Sequence, residues 1–137
     1  MSLTQTMTTS FKVELPQAVH NLLTNSIKIA LYKSTATLNA DTAVYSSSNE
    51  VVASGYAAGG VVLTGVTINS ASGVAYISFT NPSWSAALTA RGALIYNATQ
   101  GNKSIAVLDF GADKTSATTF TIQMPANTYT SAVLRIV

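Results

Sequence analysis

Charged residues and cysteine are what this sequence has least of. Only 9% of its 137 residues are Asp, Glu, Lys or Arg, against roughly 25% in an ordinary soluble domain. Cysteine is absent, which excludes disulfides, thiolate metal sites and cysteine nucleophiles. No apolar run approaches the roughly 18 to 20 residues that a membrane-spanning helix requires. We therefore expect no membrane partner and no disulfide framework.

The few positive charges are scattered along the chain, so nucleic acid is not an expected partner. Seven cations against five anions give a formal net charge of +2. No group of them is dense enough to follow a phosphate backbone. The seven are Lys12, Lys28, Lys33, Arg91, Lys103, Lys114 and Arg135.

Hydroxyl groups replace charges as the main polar component. The chain has 19 Thr and 16 Ser, its hydrophobic fraction is 47% and its mean hydropathy is +0.32. Few charges leave little electrostatic repulsion to keep copies of a small protein apart. We therefore expect other subunits to cover much of the surface, and we predict a homo-oligomer, with a trimer as the expected state.

The length favours one domain with a core of its own. We place this domain at residues 11–137 and predict a flexible polar N-terminal arm at residues 1–10. The arm has neither the basic region nor the apolar region of a secretory signal. Two interpretations of it stay open: a frayed tail, or a segment that becomes ordered on a neighbouring subunit.

Short apolar segments separated by turn residues predict an all-β fold. Their spacing of roughly 10 to 15 residues, without long amphipathic helices between them, is typical of antiparallel architectures. We predict a single antiparallel β-sandwich or jelly-roll-like barrel of about eight strands. The predicted strands are Phe11–Leu15, Ser26–Lys33, Val61–Asn69, Val74–Thr80, Ala90–Asn97, Lys103–Gly111, Phe120–Met124 and Ala132–Val137.

The segments between these strands carry weaker signals. Ala18–Leu23 could form one or two helical turns, Ser34–Asn49 is predicted to be a long surface excursion, and Gly55–Gly60 is predicted to be a bend. Gly73 suits a turn position with positive φ. Alternation within Ser26–Lys33 predicts a strand with one buried face.

One hairpin can be predicted to the level of its register. If residues 98–102 form a five-residue loop, opposite-charge partners and apolar partners both fall on matching faces. The predicted partners are Asn97 with Lys103, Ile95 with Ile105, Ala93 with Val107, and Arg91 with Asp109. This register makes Arg91 and Asp109 a structural ion pair, and we favour that role over catalysis by Asp109.

Residues able to carry out catalysis are few. His20 is the only histidine, and a packed or surface role is favoured over that of a general base. The acids are Glu14, Asp41, Glu50, Asp109 and Asp113, and no pattern brings two of them to one bond, as glycoside hydrolysis requires. There is no histidine pair or acidic loop for a metal. We predict a non-enzymatic protein with no catalytic residues, cofactor or metal.

Four aromatic residues are candidates for an interface. Tyr32, Tyr45, Tyr56 and Trp84 could pack in the core or between subunits, and this interpretation is favoured. Alternatively they could form an exposed platform that binds receptor glycans. Trp84, the only tryptophan, is expected to fill one end of the core.

Several segments resemble a group of small virion structural proteins encoded by tailed phages. The resemblance extends from about Ile27 to Ile136. It rests on KIALY (Lys28–Tyr32), the Thr- and Ala-rich stretch through Tyr45, SGYAAGG (Ser54–Gly60), Trp84, RGALIYN (Arg91–Asn97) and AVLDFG (Ala106–Gly111). Such proteins are capsid decoration or cement proteins, or tail components, and the resemblance implies no enzymatic residues.

The resemblance and the composition together favour one function. We expect a bacteriophage virion structural protein, specifically a capsid decoration or cement subunit that binds the major capsid protein lattice and stabilises the head. Its location would be the virion, after assembly in the host cytoplasm. The alternative is a tail or fibre component that binds a host-surface glycan.

Overall fold

Antiparallel strands dominate residues 3–137, the part of the chain that this computed structural model describes. This range contains ten strands and one short helix, α1 (Thr9–Glu14), which confirms the all-β prediction. The strands are β1 (Thr6–Met7), β2 (Ile27–Tyr32), β3 (Val61–Val62), β4 (Thr67–Ala71), β5 (Val74–Ser78), β6 (Ser83–Trp84), β7 (Thr89–Asn97), β8 (Lys103–Thr115), β9 (Phe120–Thr121) and β10 (Leu134–Ile136).

The strands form three sheets in a sandwich-like arrangement. The largest has the order β1-β8-β7-β2-β3, the second β10-β5-β4, and the third pairs β6 with β9. Side chains from all three sheets meet in one main core, to which Ile29, Ile95, Ile77, Leu134 and Phe120 contribute. The long hairpin of β7 and β8 forms the centre of the largest sheet.

Strand β2 is buried on both faces, so the predicted single buried face is wrong. Ile27, Ile29 and Leu31 contact the main core, as the alternation predicts. On the opposite face, Ala30 and Tyr32 belong to a second apolar cluster. That face is buried because the connection between β2 and β3 folds back over the sheet.

Residues 33–60, called the covering loop below, supply much of this second layer. Ala36 and Leu38 are only 2% and 7% exposed, and both pack in the second cluster. The predicted surface excursion at Ser34–Asn49 is therefore correct for most of its polar residues and for Val44, which is 52% exposed. Ala36, Leu38 and Tyr45 instead cover the outer face of β2 and β7, which presents Ala30, Tyr32, Leu94 and Tyr96.

The predicted flexible arm is part of the fold over its described residues, 3–10. Thr6 pairs with Val107 and Met7 with Ala106, which makes β1 an edge strand of the largest sheet. Leu3 is 7% exposed, and its side chain lies where a Cβ of Gly92 would otherwise be. The arm prediction is wrong here because Leu3 and Met7 gain apolar contacts within the same chain. Residues 1 and 2 lie outside the described residues.

The strand predicted at Phe11–Leu15 is wrong, because helix α1 contains all of this segment except Leu15, which is its C-cap. Thr8 is the N-cap, and its hydroxyl accepts a hydrogen bond from the Phe11 N–H, which satisfies one of the free amides of the first turn. Phe11 is fully buried. The helical turns predicted for Ala18–Leu23 do not form, since this segment contains turns and Ala18 has φ of +57°.

The central hairpin follows the predicted register only near its loop. Asn97 pairs with Lys103 as predicted, but Ile95 pairs with Ala106 and Leu94 with Val107. A β-bulge at Ile105 inserts one residue, so the predicted partners Ile95–Ile105, Ala93–Val107 and Arg91–Asp109 are each wrong by one position. The bulge lets Ile105 and Ala106, although consecutive, both contact the main core, a change that alternation alone cannot produce.

The second hairpin connects β4 and β5 through the two-residue loop Ser72-Gly73. These residues have φ of +51° and +79°, which is the pattern of a type I′ turn. The predicted positive φ of Gly73 is confirmed. The predicted strand Val61–Asn69 is interrupted, because Gly65 also takes a positive φ and separates β3 from β4.

Candidate functional site

A buried carboxylate, Glu50, is the centre of a polar cluster that includes four tyrosines. It is 4% exposed and lies near the middle of the covering loop. The hydroxyls of Tyr45 and Tyr56 each donate to it at 2.5 Å, and the Gly59 N–H donates at 2.8 Å. We call Glu50 together with Tyr32, Tyr45, Tyr56 and Tyr96 the Glu50 cluster.

Glycines bring the loop backbone close enough to form this cluster. Gly59 has φ of +95°, and a Cβ there would lie 3.2 Å from the Tyr96 hydroxyl. Gly60 has φ of +78°, and a Cβ there would overlap the Ile29 carbonyl. Only glycine combines this backbone conformation with such close approach. The predicted bend at Gly55–Gly60 therefore positions a main-chain donor against Glu50.

The tyrosines connect the covering loop to the largest sheet. Tyr56 accepts a hydrogen bond from the Leu31 N–H of β2 at 2.8 Å while it donates to Glu50. Tyr96 of β7 donates to the Gly59 carbonyl at 2.6 Å. Tyr32 of β2 donates to the Ser46 carbonyl, also at 2.6 Å. The loop is thus held by hydrogen bonds to two central strands.

Ring packing reinforces these hydrogen bonds. The rings of Tyr45 and Tyr96 stack with centroids 4.8 Å apart and planes inclined by 20°. Stacked aromatic pairs add about 0.5 to 1.5 kcal/mol beyond the area they bury. Tyr45 contacts the second apolar cluster while its hydroxyl reaches Glu50, so one side chain serves both the apolar layer and the polar centre.

Burial and the Glu50 carboxylate both disfavour tyrosinate in this cluster. Burial raises the pKa of Tyr96 to about 12, and the nearby Glu50 adds to the effect. The pKa values of Tyr32, Tyr45 and Tyr56 are also raised, first by burial and then by Glu50. The hydroxyls therefore stay protonated and remain hydrogen-bond donors at physiological pH.

The geometry of Glu50 suits a structural role better than proton transfer to a substrate. Three donors occupy its oxygens, and a hollow of about 280 Å³ beside Tyr32 does not include Glu50 in its lining. A buried carboxylate is costly unless it is well hydrogen-bonded. Here the hydrogen bonds compensate that cost and at the same time fix the path of the covering loop.

The four aromatics singled out by sequence occupy buried or half-buried positions. Tyr32, Tyr56 and Trp84 are 1%, 8% and 4% exposed, and Tyr45 is half-buried. Trp84 lies between Tyr56 and Phe120, with ring centroids 6.0 and 6.2 Å away. These four side chains do not form an exposed platform. Their placement agrees with the favoured interpretation, in which they pack against other side chains.

His20 forms a second buried polar cluster that sequence reasoning did not assemble. Its side chain is fully enclosed, and its Nε2 lies 2.8 Å from Glu14 Oε1. Asn97 Nδ2 donates to the other ring nitrogen, Nδ1, at 3.0 Å. Since an amide NH₂ can only donate, Nδ1 accepts and Nε2–H donates to Glu14. Both ring nitrogens are thus occupied, and the packed role expected for His20 fits this geometry.

The ion pair between Arg91 and Asp109 forms despite the changed register. Arg91 Nε lies 3.0 Å from Asp109 Oδ1, and the two side chains are 32% and 24% exposed. Asp109 Oδ1 also accepts from the Gly111 N–H at 2.9 Å. This backbone hydrogen bond, followed by the one from Arg91, lowers the pKa of Asp109. The second register irregularity, between Ala90 and Gly92, lies at the arginine.

Neither a metal centre nor a spanning helix is found in the described chain. Across residues 3–137, no group of three or more His, Cys, Asp or Glu side chains is placed to hold a metal ion. No helix within the same residues is long and apolar enough to cross a membrane.

The sequence contained a partial signal for the Glu50 cluster. Glu50 appears in it only as one of five acids, while Tyr56 and Gly59 follow within nine positions. Two tyrosines near one acid, followed by a glycine pair, are compatible with a buried carboxylate. Tyr96, however, is brought in from a distant strand by tertiary pairing that no local pattern reveals.

Comparison with known proteins gives no assignment: no family model, curated protein or solved structure matches this chain.

Proposed function

We propose that the chain is a non-enzymatic structural protein of a bacteriophage virion, specifically a capsid decoration or cement subunit that binds the major capsid protein lattice and stabilises the head. The observation that carries this proposal is a surface with few charges and many exposed large apolar side chains. In the described residues these are Val13, Leu23, Val44, Val52, Val62, Ile68, Tyr129, Ile136 and Val137.

Such a surface is suited to being covered by neighbouring proteins. Val52 is 92% exposed and Leu23 is 67% exposed, while only 9% of the chain is charged. Apolar side chains gain about 25 cal/mol for each Å² removed from water. Contacts with a lattice would bury these side chains without the desolvation cost that charged groups carry.

The segments of the phage resemblance coincide with the largest sheet, which adds support. KIALY lies in β2, RGALIYN in β7 and AVLDFG in β8, while SGYAAGG lies in the covering loop. The resemblance thus involves the residues that build the core and the Glu50 cluster. This fits a role as a rigid scaffold, with no substrate or cofactor to bind.

The proposal includes self-association, with a trimer as the expected assembly. Closed symmetry is the rule for soluble homo-oligomers. A trimer with three-fold symmetry matches the three-fold positions of a shell. The other partner would be the major capsid protein. Neither nucleic acid nor a membrane is proposed as a partner, and the location is the virion, after assembly in the host cytoplasm.

Purified particles of the phage that encodes the chain provide the test. We expect quantitative mass spectrometry to find the chain in a fixed ratio to the major capsid protein, and antibody labelling to place it on the head. Particles prepared without it should lose their genomes at a lower temperature, and added protein should restore stability. A chain that is abundant in the infected cell but missing from purified particles would overturn the proposal.

The alternative of a glycan-binding tail or fibre component has a distinct outcome in the same experiment. Antibody label would then be on the tail, and head stability would not depend on the chain. The four aromatics that motivated this alternative are buried or half-buried, so a glycan would need another surface. No observation on these side chains favours it.

A further inference from the structure

Strand β4 is an exposed edge of the second sheet. It pairs with β5 on one side, and on the other side no strand of residues 3–137 adjoins it in this sheet. Thr67, Ile68, Asn69 and Ser70 are all exposed, and Ile68 is 46% exposed. An edge of this kind presents free backbone groups that can pair with another strand.

The hairpin geometry determines which backbone groups point outward. The Ser72-Gly73 turn joins Ala71 to Val74, and the carbonyl and amide that flank such a turn are hydrogen-bonded to each other. Hydrogen-bonded and non-hydrogen-bonded pairs then alternate along an antiparallel ladder. It follows that Asn69 and Thr67 bond to β5, whereas the N–H and C=O groups of Ile68 and Ser70 point to the free edge.

Strand β4 also lacks the features that usually protect an edge strand. Natural proteins block such edges with charged residues, proline, bulges or very short strands. Edge strands β1 and β3 have two residues each, and β10 contains Arg135. In contrast, β4 has five residues, TINSA, with no charge and no proline, and its pairing with β5 is regular.

We propose that β4 pairs with β4 of a second copy of this chain, antiparallel and across a two-fold axis through Asn69. Ile68 of each copy then lies opposite Ser70 of the other, so all outward-pointing groups of the two strands meet. About four backbone hydrogen bonds form. A two-fold contact is self-complementary by construction, and here it brings no charged residues together because the strand has none.

A second copy is a better match than an unrelated strand because of charge. Across the sheet β10-β5-β4, Arg135 on the far edge is the only charged residue. Two such sheets joined through β4 form a continuous six-stranded sheet in which no like charges meet. This inference extends the self-association in the proposed function, on which it rests. Two-fold and three-fold contacts can coexist in one closed assembly.

Proline substitution tests the backbone contact directly. Ser70→Pro removes an outward N–H and leaves the β4–β5 ladder intact, and proline is tolerated in an edge strand when its missing N–H faces solvent. The matched control is Ser70→Ala, which keeps the N–H. We expect the dissociation constant of the two-fold contact, measured by sedimentation equilibrium, to rise roughly tenfold or more in Ser70→Pro and to stay near wild type in Ser70→Ala.

Charge substitution on the axis tests the register and does not depend on proline. Asn69→Lys and Asn69→Asp each place like charges directly opposite one another, which destabilises a strand pair. Each variant alone should associate more weakly than wild type by several-fold. Mixed together, they should form mixed pairs in preference to like pairs, which native mass spectrometry can count. Circular dichroism checks that every variant is folded.

The outcomes separate this inference from the proposed trimer. Even-numbered assemblies that dissociate into trimers in the Ser70→Pro variant support both the β4 contact and the trimer. Dimers that dissociate into monomers in this variant support the β4 contact alone. A trimer or monomer that Ser70→Pro leaves unchanged overturns the β4 contact. Loss of binding to capsids in Ser70→Pro, with wild type monomeric at all concentrations, would instead assign β4 to a different protein. Failure of Asn69→Lys and Asn69→Asp to prefer each other would overturn the register.

Discussion

Glu50 illustrates how a single residue can fix the conformation of a long segment. Its carboxylate accepts three hydrogen bonds from groups nine residues or fewer away in sequence. Two of these groups are also bonded to, or stacked on, the central strands β2 and β7. The cost of burying the carboxylate is compensated only when all three donors are in place, so the covering loop has one favourable conformation.

Replacing Glu50 by glutamine should therefore be costly although the two side chains have the same shape. Glutamine presents an NH₂ group where the native side chain has an acceptor, and this group would face hydroxyl and amide donors. We expect Glu50→Gln to lower the free energy of unfolding by about 2 to 4 kcal/mol, measured by urea denaturation. Asp41→Asn, at an exposed acid of the same loop, should change it by less than about 0.5 kcal/mol. Equal stability of the two variants would contradict this account.

The ion pair of Arg91 and Asp109 is a weaker interaction because both side chains are partly exposed. Asp109→Ala should cost about 1 to 2 kcal/mol, since it also removes the acceptor for the Gly111 N–H. Arg91→Ala should cost less. In a double-mutant cycle we expect a coupling free energy of about 0.5 to 1 kcal/mol. Strict additivity would show that the pair contributes no direct interaction.

At the scale of elements, the bend at the end of the covering loop and the β4–β5 turn each depend on a glycine with positive φ. Gly60 and Gly73 have nearly the same φ, +78° and +79°, but only Gly60 lies against another strand. Alanine is strained in this conformation at both positions, while at Gly60 it would also overlap the Ile29 carbonyl. Comparison of the two positions thus separates steric overlap from backbone strain.

We expect Gly60→Ala to be far more destabilising than Gly73→Ala. The Gly73 variant should lose only about 1 kcal/mol, as expected for backbone strain alone, because no atom of the described part of the chain lies within 4 Å of its new Cβ. The Gly60 variant should lose more than about 3 kcal/mol and could fail to fold. Thermal melting of the two variants side by side measures the difference. Similar melting temperatures would show that β2 moves to accommodate the methyl group.

The elements that the sequence predicted are those with local signals. The hydrophobic segments of β2, β5, β7 and β8 and the turn glycine at Gly73 were predicted because alternation and turn chemistry are local. The bulge at Ile105 was not, since alternation assumes an uninterrupted ladder. The strand predicted at Phe11–Leu15 is wrong because helix α1 occupies most of it, and Thr8 and Pro16 are its local signals, an N-cap and a stop. The Glu50 cluster depends on Tyr96 from β7, a contact set by tertiary packing.

At the scale of the whole molecule, the four tyrosines of the Glu50 cluster make stability sensitive to alkaline pH. Their ordinary pKa is 10.0, and folding raises it, to about 12 for Tyr96. Above pH 10 the unfolded chain releases protons that the folded chain retains. Rising pH therefore favours the unfolded state and lowers the free energy of unfolding. The stability is unaffected well below pH 10 and is lost as the pH rises beyond it.

We therefore expect the urea midpoint to fall steeply between pH about 10 and 12, with the tyrosinate absorbance of the four cluster tyrosines appearing together with unfolding. Tyr96→Phe removes one of the titrating groups, so its midpoint should decline less steeply over that range. Tyr76 and Tyr129 lie outside the cluster, so the decisive observation is a tyrosinate signal of the folded protein that Tyr96→Phe reduces. Such a signal would contradict the burial of the cluster hydroxyls.

Strand β7 is enclosed on both edges by β2 and β8 and on both faces by the two apolar clusters, and this has a consequence for hydrogen exchange. Amides of Leu94 and Ile95 can meet solvent only when the covering loop and the sheet open together, so they should exchange at the rate set by global unfolding. Ile68 and Ser70 in β4 should exchange almost freely in an isolated subunit. Deuterium uptake across the chain would then span the full range of protection, and added copies or particles should slow uptake at β4 first while leaving β7 unchanged.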